Sequence, residues 1–374
     1  MPDRPTIVFA AGGTGGHIFP LLAIEEALRA DPATPDFHAR YLCSTRPIDT
    51  RILHANARED VIPIPAIPFS LAPRSFLRLA MGWGRSLRDS RAALRAESGE
   101  RAALIITTGG FVAAPVAQAA RVERIPLVLV NLDAVAGKAS RFVGRRAALA
   151  ITSADGPGVP ASWQRIPPIV RANAIGADPA VARSRLGLPE NTPILLITGG
   201  SQGARSLNLF LAELASNRPE MLRGYHLLHQ AGDDDAQALE SVYRAANLSA
   251  TVVPFIENMG DAWSVASLCI GRCGAGAVAE AWANGVPCIF MPYPFHKDEH
   301  QRLNARPLEQ AGAAIILKDH ILPQKNLEAH AETIGSHLSD PTRIEAMRAR
   351  YENMPRADGA QRAAGAVSGL LKNS

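Results

Sequence analysis

The chain has 374 residues, 47% of them apolar, 20% charged and 5% aromatic, with a formal charge of +4. Such a chain is long enough for two ordinary domains, each with its own core. The modest net charge argues against general nucleic-acid binding, and no run of 18 uninterrupted apolar residues predicts a transmembrane helix.

The first element is the strand "TIVFAA" (6–11), followed by "GGTGGHIFPLLAIEEALRA", a glycine turn that leads into helical spacing. The plan returns half a chain later in "PILLITGGSQGARSLNLFLAEL" (193–214). There Gly199, Gly200, Ser201 and Gly203 repeat Gly12, Gly13, Thr14 and Gly16. A second echo joins "ALIITTGGFVAAPVAQAARVERIPLVLV" (103–130) to "LCIGRCGAGAVAEAWANGVPCIFMP" (268–292). In each, Pro126 or Pro287 opens the next strand.

Strands alternating with helices imply parallel sheets covered on both faces. The expected fold class is α/β: two doubly wound, Rossmann-like parallel-sheet domains with a cleft between them. The expected domains are 1–168 and 169–356, with the boundary in the proline-rich "WQRIPPIVRANAIGADP" (163–179). A last helix, about 357–374, is able to pack back on the first domain.

The opening loop is neither a dinucleotide fingerprint nor a P-loop, because Ile18 stands at the third glycine position and no Lys-Ser or Lys-Thr follows. Its physics is still that of an anion site. A strand-to-helix turn points backbone N–H groups and the positive helix end at one spot, and glycines allow close approach. Four echoed turns point to a bridging, negatively charged ligand such as a diphosphate; tight helix–sheet packing is the competing explanation.

His17 opens the first helix, where the dipole favours the neutral, proton-accepting imidazole. It is either a general base or a histidine bonded to a loop carbonyl. Glu280 follows the fourth turn and is suited to a ribose diol, or is a solvated helix residue. His296 and His300 flank Asp298 and Glu299 without the order of a zinc site, so no metal is expected. A hydrogen-bonding loop for a polyhydroxylated ligand fits better.

The segment 74–96 sets Arg74, Arg78, Arg85, Arg88, Arg91 and Arg95 among Phe76, Leu77, Leu79, Met81 and Trp83, with Asp89 its one acid. It reads as a surface for anionic lipid, or as an arginine-rich helix lying on its own domain. Cys43, Cys269, Cys273 and Cys288 form no CxxC pair and are expected as free thiols in a reducing compartment. The N-terminus carries no secretory pattern, and a cytoplasmic location is expected.

"GGTGGHIFPLLAI", "GGSQGARSLN" and "GAGAVAEAWANGVPCIFMPYPFHKDEHQRLNARPLEQAGAA" resemble the MurG glycosyltransferases of glycosyltransferase family 28 over about residues 6–320. The resemblance implies the twin-Rossmann GT-B fold. It also implies inverting transfer of N-acetylglucosamine from UDP-N-acetylglucosamine to an undecaprenyl-diphosphate-linked muramoyl-pentapeptide. No cofactor is implied, and the implied place is the cytoplasmic face of the plasma membrane, peripherally bound.

Carried over motif by motif, Thr14, Gly15 and Gly16 stand in the first loop, and His17, Gly109 and Gly110 face the acceptor phosphates. Arg171 faces the donor diphosphate, and Ser201 with Gln202 contacts the nucleotide. The backbone of Ile256 reads uracil. Ala275, Gly276, Ala277, Val278 and Ala279 line the nucleotide, Glu280 binds the ribose and Gln301 the donor sugar.

The sequence departs from the family pattern at four places. Val130, Asn131, Leu132 and Asp133 replace a His-Glu-Gln-Asn block, which makes Asp133 an alternative base. "PPIVR" replaces Gly-Asn-Pro-Val-Arg, Cys273 replaces a serine, and His300 replaces a glutamine. The donor half is mostly intact and the acceptor half is changed. Other readings are a glycolipid synthase acting on diacylglycerol, a UDP-N-acetylglucosamine 2-epimerase, and a non-catalytic binding paralogue.

Overall fold

The computed structural model describes residues 4–13, 15–67, 73–95, 99–176, 178–200 and 203–371, with the backbone alone for 73–80. The chain divides into two compact units. One runs to Arg171 and takes back the chain from Asp358; the other is Ala172–Ala357.

The first unit contains β1 (Thr6–Ala10), α1 (Gly15–Ala30), β2 (His38–Ser44), α2 (Pro47–Ala55), β3 (Val61–Ile64) and α3 (Pro73–Ala93). It continues with β4 (Leu104–Thr107), α4 (Ala113–Glu123), β5 (Leu127–Asn131), α5 (Lys138–Gly144), β6 (Leu149–Thr152) and β7 (Gln164–Arg165). Among the described residues its strands form one sheet in the order β3-β2-β1-β4-β5-β6-β7.

The second unit contains α6 (Pro179–Leu186), β8 (Ile194–Thr198), α7 (Arg205–Asn217), β9 (His226–Gln230), α8 (Ala236–Ala245), β10 (Ala250–Val253) and α9 (Met259–Val265). After these come β11 (Ala266–Gly271), α10 (Ala275–Asn284), β12 (Cys288–Phe290), α11 (His300–Ala311), β13 (Ala314–Ile316), α12 (Pro323–Leu338) and α13 (Pro341–Ala349). Its sheet order is β10-β9-β8-β11-β12-β13.

Every strand pairing is parallel. That topology explains the continuous apolar runs: "ILLIT" in β8 and "LVLVN" in β5 are buried at all five positions. A strand covered by helices on both faces has no solvent side on which to alternate. The last helix, α14 (Gly359–Leu371), returns to the first unit. There Ser368 Oγ lies 2.6 Å from Thr34 Oγ1 and 3.2 Å from Asp31 Oδ2, close to the end of α1.

In both sheets the strand order reverses beside the first strand of the unit, between β1 and β4 and between β8 and β11. Ligands of open α/β sheets bind at the carboxyl ends of strands at such switch points. The four echoed glycine turns are the four loops that leave these four strands.

Candidate active site

At the first switch point Gly110 has φ +75, and a Cβ there would lie 2.6 Å from the Gly12 carbonyl oxygen. Only glycine fits that conformation and that approach. The same Cβ would lie 3.6 Å from His17 Cδ2, so the two turns and the histidine meet. His17 Nδ1 is 3.1 Å from the Thr108 carbonyl oxygen, and Thr108 Oγ1 donates to the His17 carbonyl at 2.7 Å. A carbonyl only accepts, so Nδ1 donates to it, and in the neutral ring Nε2 is the nitrogen left with the lone pair. The carbonyl-bonded reading of His17 and the base reading are therefore compatible, because the bond selects the tautomer that a base needs.

The Gly13 N–H is not free for an anion. It donates to Asp49 Oδ2 at 2.8 Å, and the same oxygen accepts from Ser44 N and Oγ at 3.2 and 2.5 Å. Arg46 Nη1 closes the turn on the Gly13 carbonyl at 2.8 Å. Thr14 lies outside the described residues. Gly15 and Gly16 form the start of α1, where Gly15 is buried.

Asn131 is buried, and its Nδ2 donates to the Asp133 carbonyl at 2.8 Å and to Thr152 Oγ1 at 3.1 Å. Its side chain thus shapes the loop after β5. Leu132 is buried and Asp133 half-buried. Arg171 is committed within the first unit: it donates to Glu26 Oε1 at 2.7 Å and to Asn56 Oδ1 at 2.8 Å.

At the second switch point Ser201 and Gln202 lie outside the described residues. Around them, Gly200 N donates to Thr198 Oγ1 at 3.2 Å and Gly203 N to the Gly200 carbonyl at 3.0 Å. A Cβ on Gly203 would lie 2.3 Å from the Ala231 carbonyl oxygen, so this turn rests on the end of β9. Ile256, after β10, is buried, and its N–H donates to Gln230 Oε1 at 3.1 Å.

Gly274 caps α10 in an extended conformation with no side-chain cap bond. The first-turn N–H groups of α10 therefore receive no side-chain oxygen from their cap residue, the condition for an anion site at a helix start. Ala275, Gly276 and Ala277 form that turn, with Val278 and Ala279 buried behind it.

Glu280 follows on the same helix, and Trp263 Nε1 donates to its Oε2 at 2.8 Å. Burial pushes the Glu280 carboxyl up to about 7 against the lowering effect of that bond. Gln301, in the first turn of α11, accepts the Tyr293 N–H on Oε1 at 2.9 Å. Beside it His300 Nδ1 lies 2.8 Å from Asp298 Oδ1, with the His296 ring 4.2 Å away.

Residues not singled out from the sequence hold this region in place. Arg272, between β11 and Gly274, is 6% exposed. It donates to the Met291 carbonyl at 2.7 Å, Ser206 Oγ at 2.6 Å and Asp319 Oδ2 at 2.8 Å. Burial would raise Asp319, but bonds from Asn326, Ser206, Ile321 and Arg272 hold its carboxyl below the usual range. An Arg in a Gly-rich turn with an Asp–His further on was the available signal, and it is a weak one.

On α3, Met81 is 70% exposed. Two arginines of that segment are engaged internally: Arg91 Nε donates to Glu123 Oε1 at 2.8 Å and Arg95 Nη2 to Oε2 at 2.5 Å. The hydrogen bond from Arg91, with that from Arg95, keeps the Glu123 carboxyl below its usual range. No helix among the described residues is long and apolar enough to cross a membrane.

Residues 7–152 match the family model for the glycosyltransferase family 28 N-terminal domain, and residues 194–363 that for its C-terminal domain. The chain belongs to glycosyltransferase family 28. Within this family it is 32% identical to a UDP-N-acetylglucosamine–N-acetylmuramyl-(pentapeptide) pyrophosphoryl-undecaprenol N-acetylglucosamine transferase of Halorhodospira halophila, over 96% of both chains. It is 35% identical to the Rhodococcus opacus protein of the same description, over 92% of this chain and 91% of that one. The crystal structure of Acinetobacter baumannii MurG superposes with a TM-score of 0.70 at 26% identity, over the whole of both chains. The fold class is accordingly GT-B, and the chain is a MurG-type member of family 28.

Proposed function

We propose that the protein transfers N-acetylglucosamine from UDP-N-acetylglucosamine to a lipid-linked N-acetylmuramyl-pentapeptide with inversion at the anomeric carbon. The observation that carries this reading is the agreement of relatives so described over nine-tenths of their length, with glycine turns at both switch points.

In this reading the first unit takes the acceptor. His17 Nε2, its tautomer set by the Thr108 carbonyl, removes the proton from the acceptor hydroxyl as that oxygen attacks the sugar carbon. Gly109 and Gly110 leave room for the acceptor phosphates. The second unit takes the donor. The start of α10, from Ala275 to Ala277, with the Ser201–Gln202 turn, receives the diphosphate and stabilises the charge that develops as UDP leaves. Arg171 adds a positive charge, for which it must exchange Glu26 for the diphosphate. Glu280 accepts from the ribose hydroxyls, the Ile256 backbone reads uracil, and Gln301 reads the sugar.

The protein acts at the membrane's cytoplasmic face, with exposed apolar and basic residues of α3 meeting anionic lipid. The changed Val130-Asn131-Leu132-Asp133 block favours one second reading, the same chemistry on another lipid acceptor. A transfer assay with radiolabelled UDP-N-acetylglucosamine and both muramyl-pentapeptide lipid and diacylglycerol distinguishes them. Label in the muramyl lipid supports the proposal, label in diacylglycerol alone refutes the acceptor, and label in neither refutes the activity.

A further inference from the structure

Gln230 is the last residue of β9, the strand that lies between β8 and β10. It is 2% exposed. Its amide reaches to both sides. Nε2 donates to the Gly200 carbonyl at 2.8 Å, in the turn after β8, and Oε1 accepts the Ile256 N–H at 3.1 Å, in the loop after β10. We propose that Gln230 is a positioning residue that braces the diphosphate turn against the uracil-reading loop, so that base and diphosphate are recognised as one unit. This inference rests on the donor site proposed above.

Three features support a brace rather than general core packing. First, the two bonds need one donor and one acceptor on a single side chain of this length, which the glutamine amide supplies. Second, the Gly200 carbonyl already closes the turn by accepting the Gly203 N–H at 3.0 Å, so the glutamine bond fixes the orientation of the peptide that begins the turn.

Third, the bond to the Ile256 N–H sets what the base can meet. That bond fixes the Phe255–Ile256 peptide, and with it the start of the next peptide, which carries the Ile256 carbonyl. A carbonyl set opposite N3 accepts from the N3–H of uracil and meets only a lone pair on N3 of cytosine. Loss of the bond would free the Ile256 backbone and with it that distinction. The rest of the β9 end is pinned in the same way: Asn208 donates to the Ala231 carbonyl at 2.8 Å and faces His229 Nε2 at 3.1 Å. The brace thus stands on a fixed base.

The test compares UDP and CDP binding by calorimetry, with donor and acceptor kinetics, in the full-length wild type, Gln230→Met and Gln230→Glu. Gln230→Met removes both bonds. It should raise the Kd for UDP and the donor KM about tenfold, as expected for two lost hydrogen bonds. The UDP-over-CDP preference should narrow, and the acceptor KM should change less than about twofold. Gln230→Glu keeps an acceptor for Ile256 and loses the donor to Gly200, so it should weaken UDP but retain the preference. It also serves if the methionine variant does not fold.

Equal loss of UDP and CDP in Gln230→Met, or a lower Tm with an unmoved donor KM, overturns the brace. If wild type binds UDP and Glu280→Gln weakens it while both Gln230 variants bind normally, the inference alone falls. If wild type does not bind UDP, the donor site falls with it.

Discussion

Glu280 carries a quantitative prediction. Its carboxyl is pushed from its ordinary 4.5 up to about 7 by burial. In the free protein this is a stability cost for the charged form, because a raised carboxyl pKa contributes stability below about 4.5 that is lost as pH rises through about 7. At about 1.4 kcal/mol per pKa unit the full cost is about 3 kcal/mol, an upper bound for a residue that keeps some solvent access. A ribose diol supplies two O–H donors, and only the carboxylate accepts both while still accepting from Trp263.

Donor binding should therefore favour the ionised form and release a proton below pH 7. If the ionised form alone binds well, the affinity at pH 5.5 is about 30-fold weaker than at pH 8.5. UDP-N-acetylglucosamine is the ligand to use, since its diphosphate has no group that titrates in this range. Calorimetry in two buffers of different ionisation enthalpy counts the released proton. Glu280→Gln should flatten the profile and weaken binding at pH 8.5 by about 1.5–3 kcal/mol, the loss of a charged hydrogen bond. The same pH profile in wild type and Glu280→Gln would refute the assignment.

His17→Gln should lower kcat by about 10²–10⁴ with the donor Kd unchanged, the range for loss of a general base; a kcat within threefold of wild type in a transfer assay removes the histidine from that role. Gly110→Ala forces a φ of +75 on a residue with a Cβ, 2.6 Å from the Gly12 carbonyl. It should cost at least about 1–2 kcal/mol in urea unfolding and raise the acceptor KM more than the donor KM. Arg272→Met leaves Asp319 buried without its cation and should destabilise by about 3–5 kcal/mol, much of it recovered in Arg272→Met/Asp319→Leu; a double variant no more stable than the single one contradicts this account. Asp133→Asn separates the two candidate bases: with His17 as base, kcat should stay within about threefold, and a loss as large as that of His17→Gln would transfer the role to Asp133.

The fold was legible because its signal repeats. Four strand–glycine–helix segments in two echoed pairs, with buried apolar strands, imply two parallel sheets, and the two sheets have the strand orders expected of doubly wound units. The placing of the glycine turns at the switch points followed from the same pattern. The supporting polar residues were not legible. Gln230, Trp263, Thr108 and Asp319 act through partners 17 to 91 positions away in sequence. Spacing along one element cannot reveal them. The pairing of two arginines of the basic segment was not legible for a similar reason, since the partner of Arg91 and Arg95 is Glu123, on α4.

The echo between the two units also hides a divergence in chemistry. Both place a strand, a glycine turn and a helix at the switch point. In the first unit Asp49 takes the Gly13 N–H, and that unit offers a side chain, the His17 imidazole held through Nδ1. In the second, the fourth turn starts α10 with no side-chain cap and offers backbone N–H groups. A carboxylate held against the first turn disfavours an anion there, while an uncapped helix start favours one. In the proposed reaction this difference is the reason to assign the leaving diphosphate to the second unit and proton removal to the first.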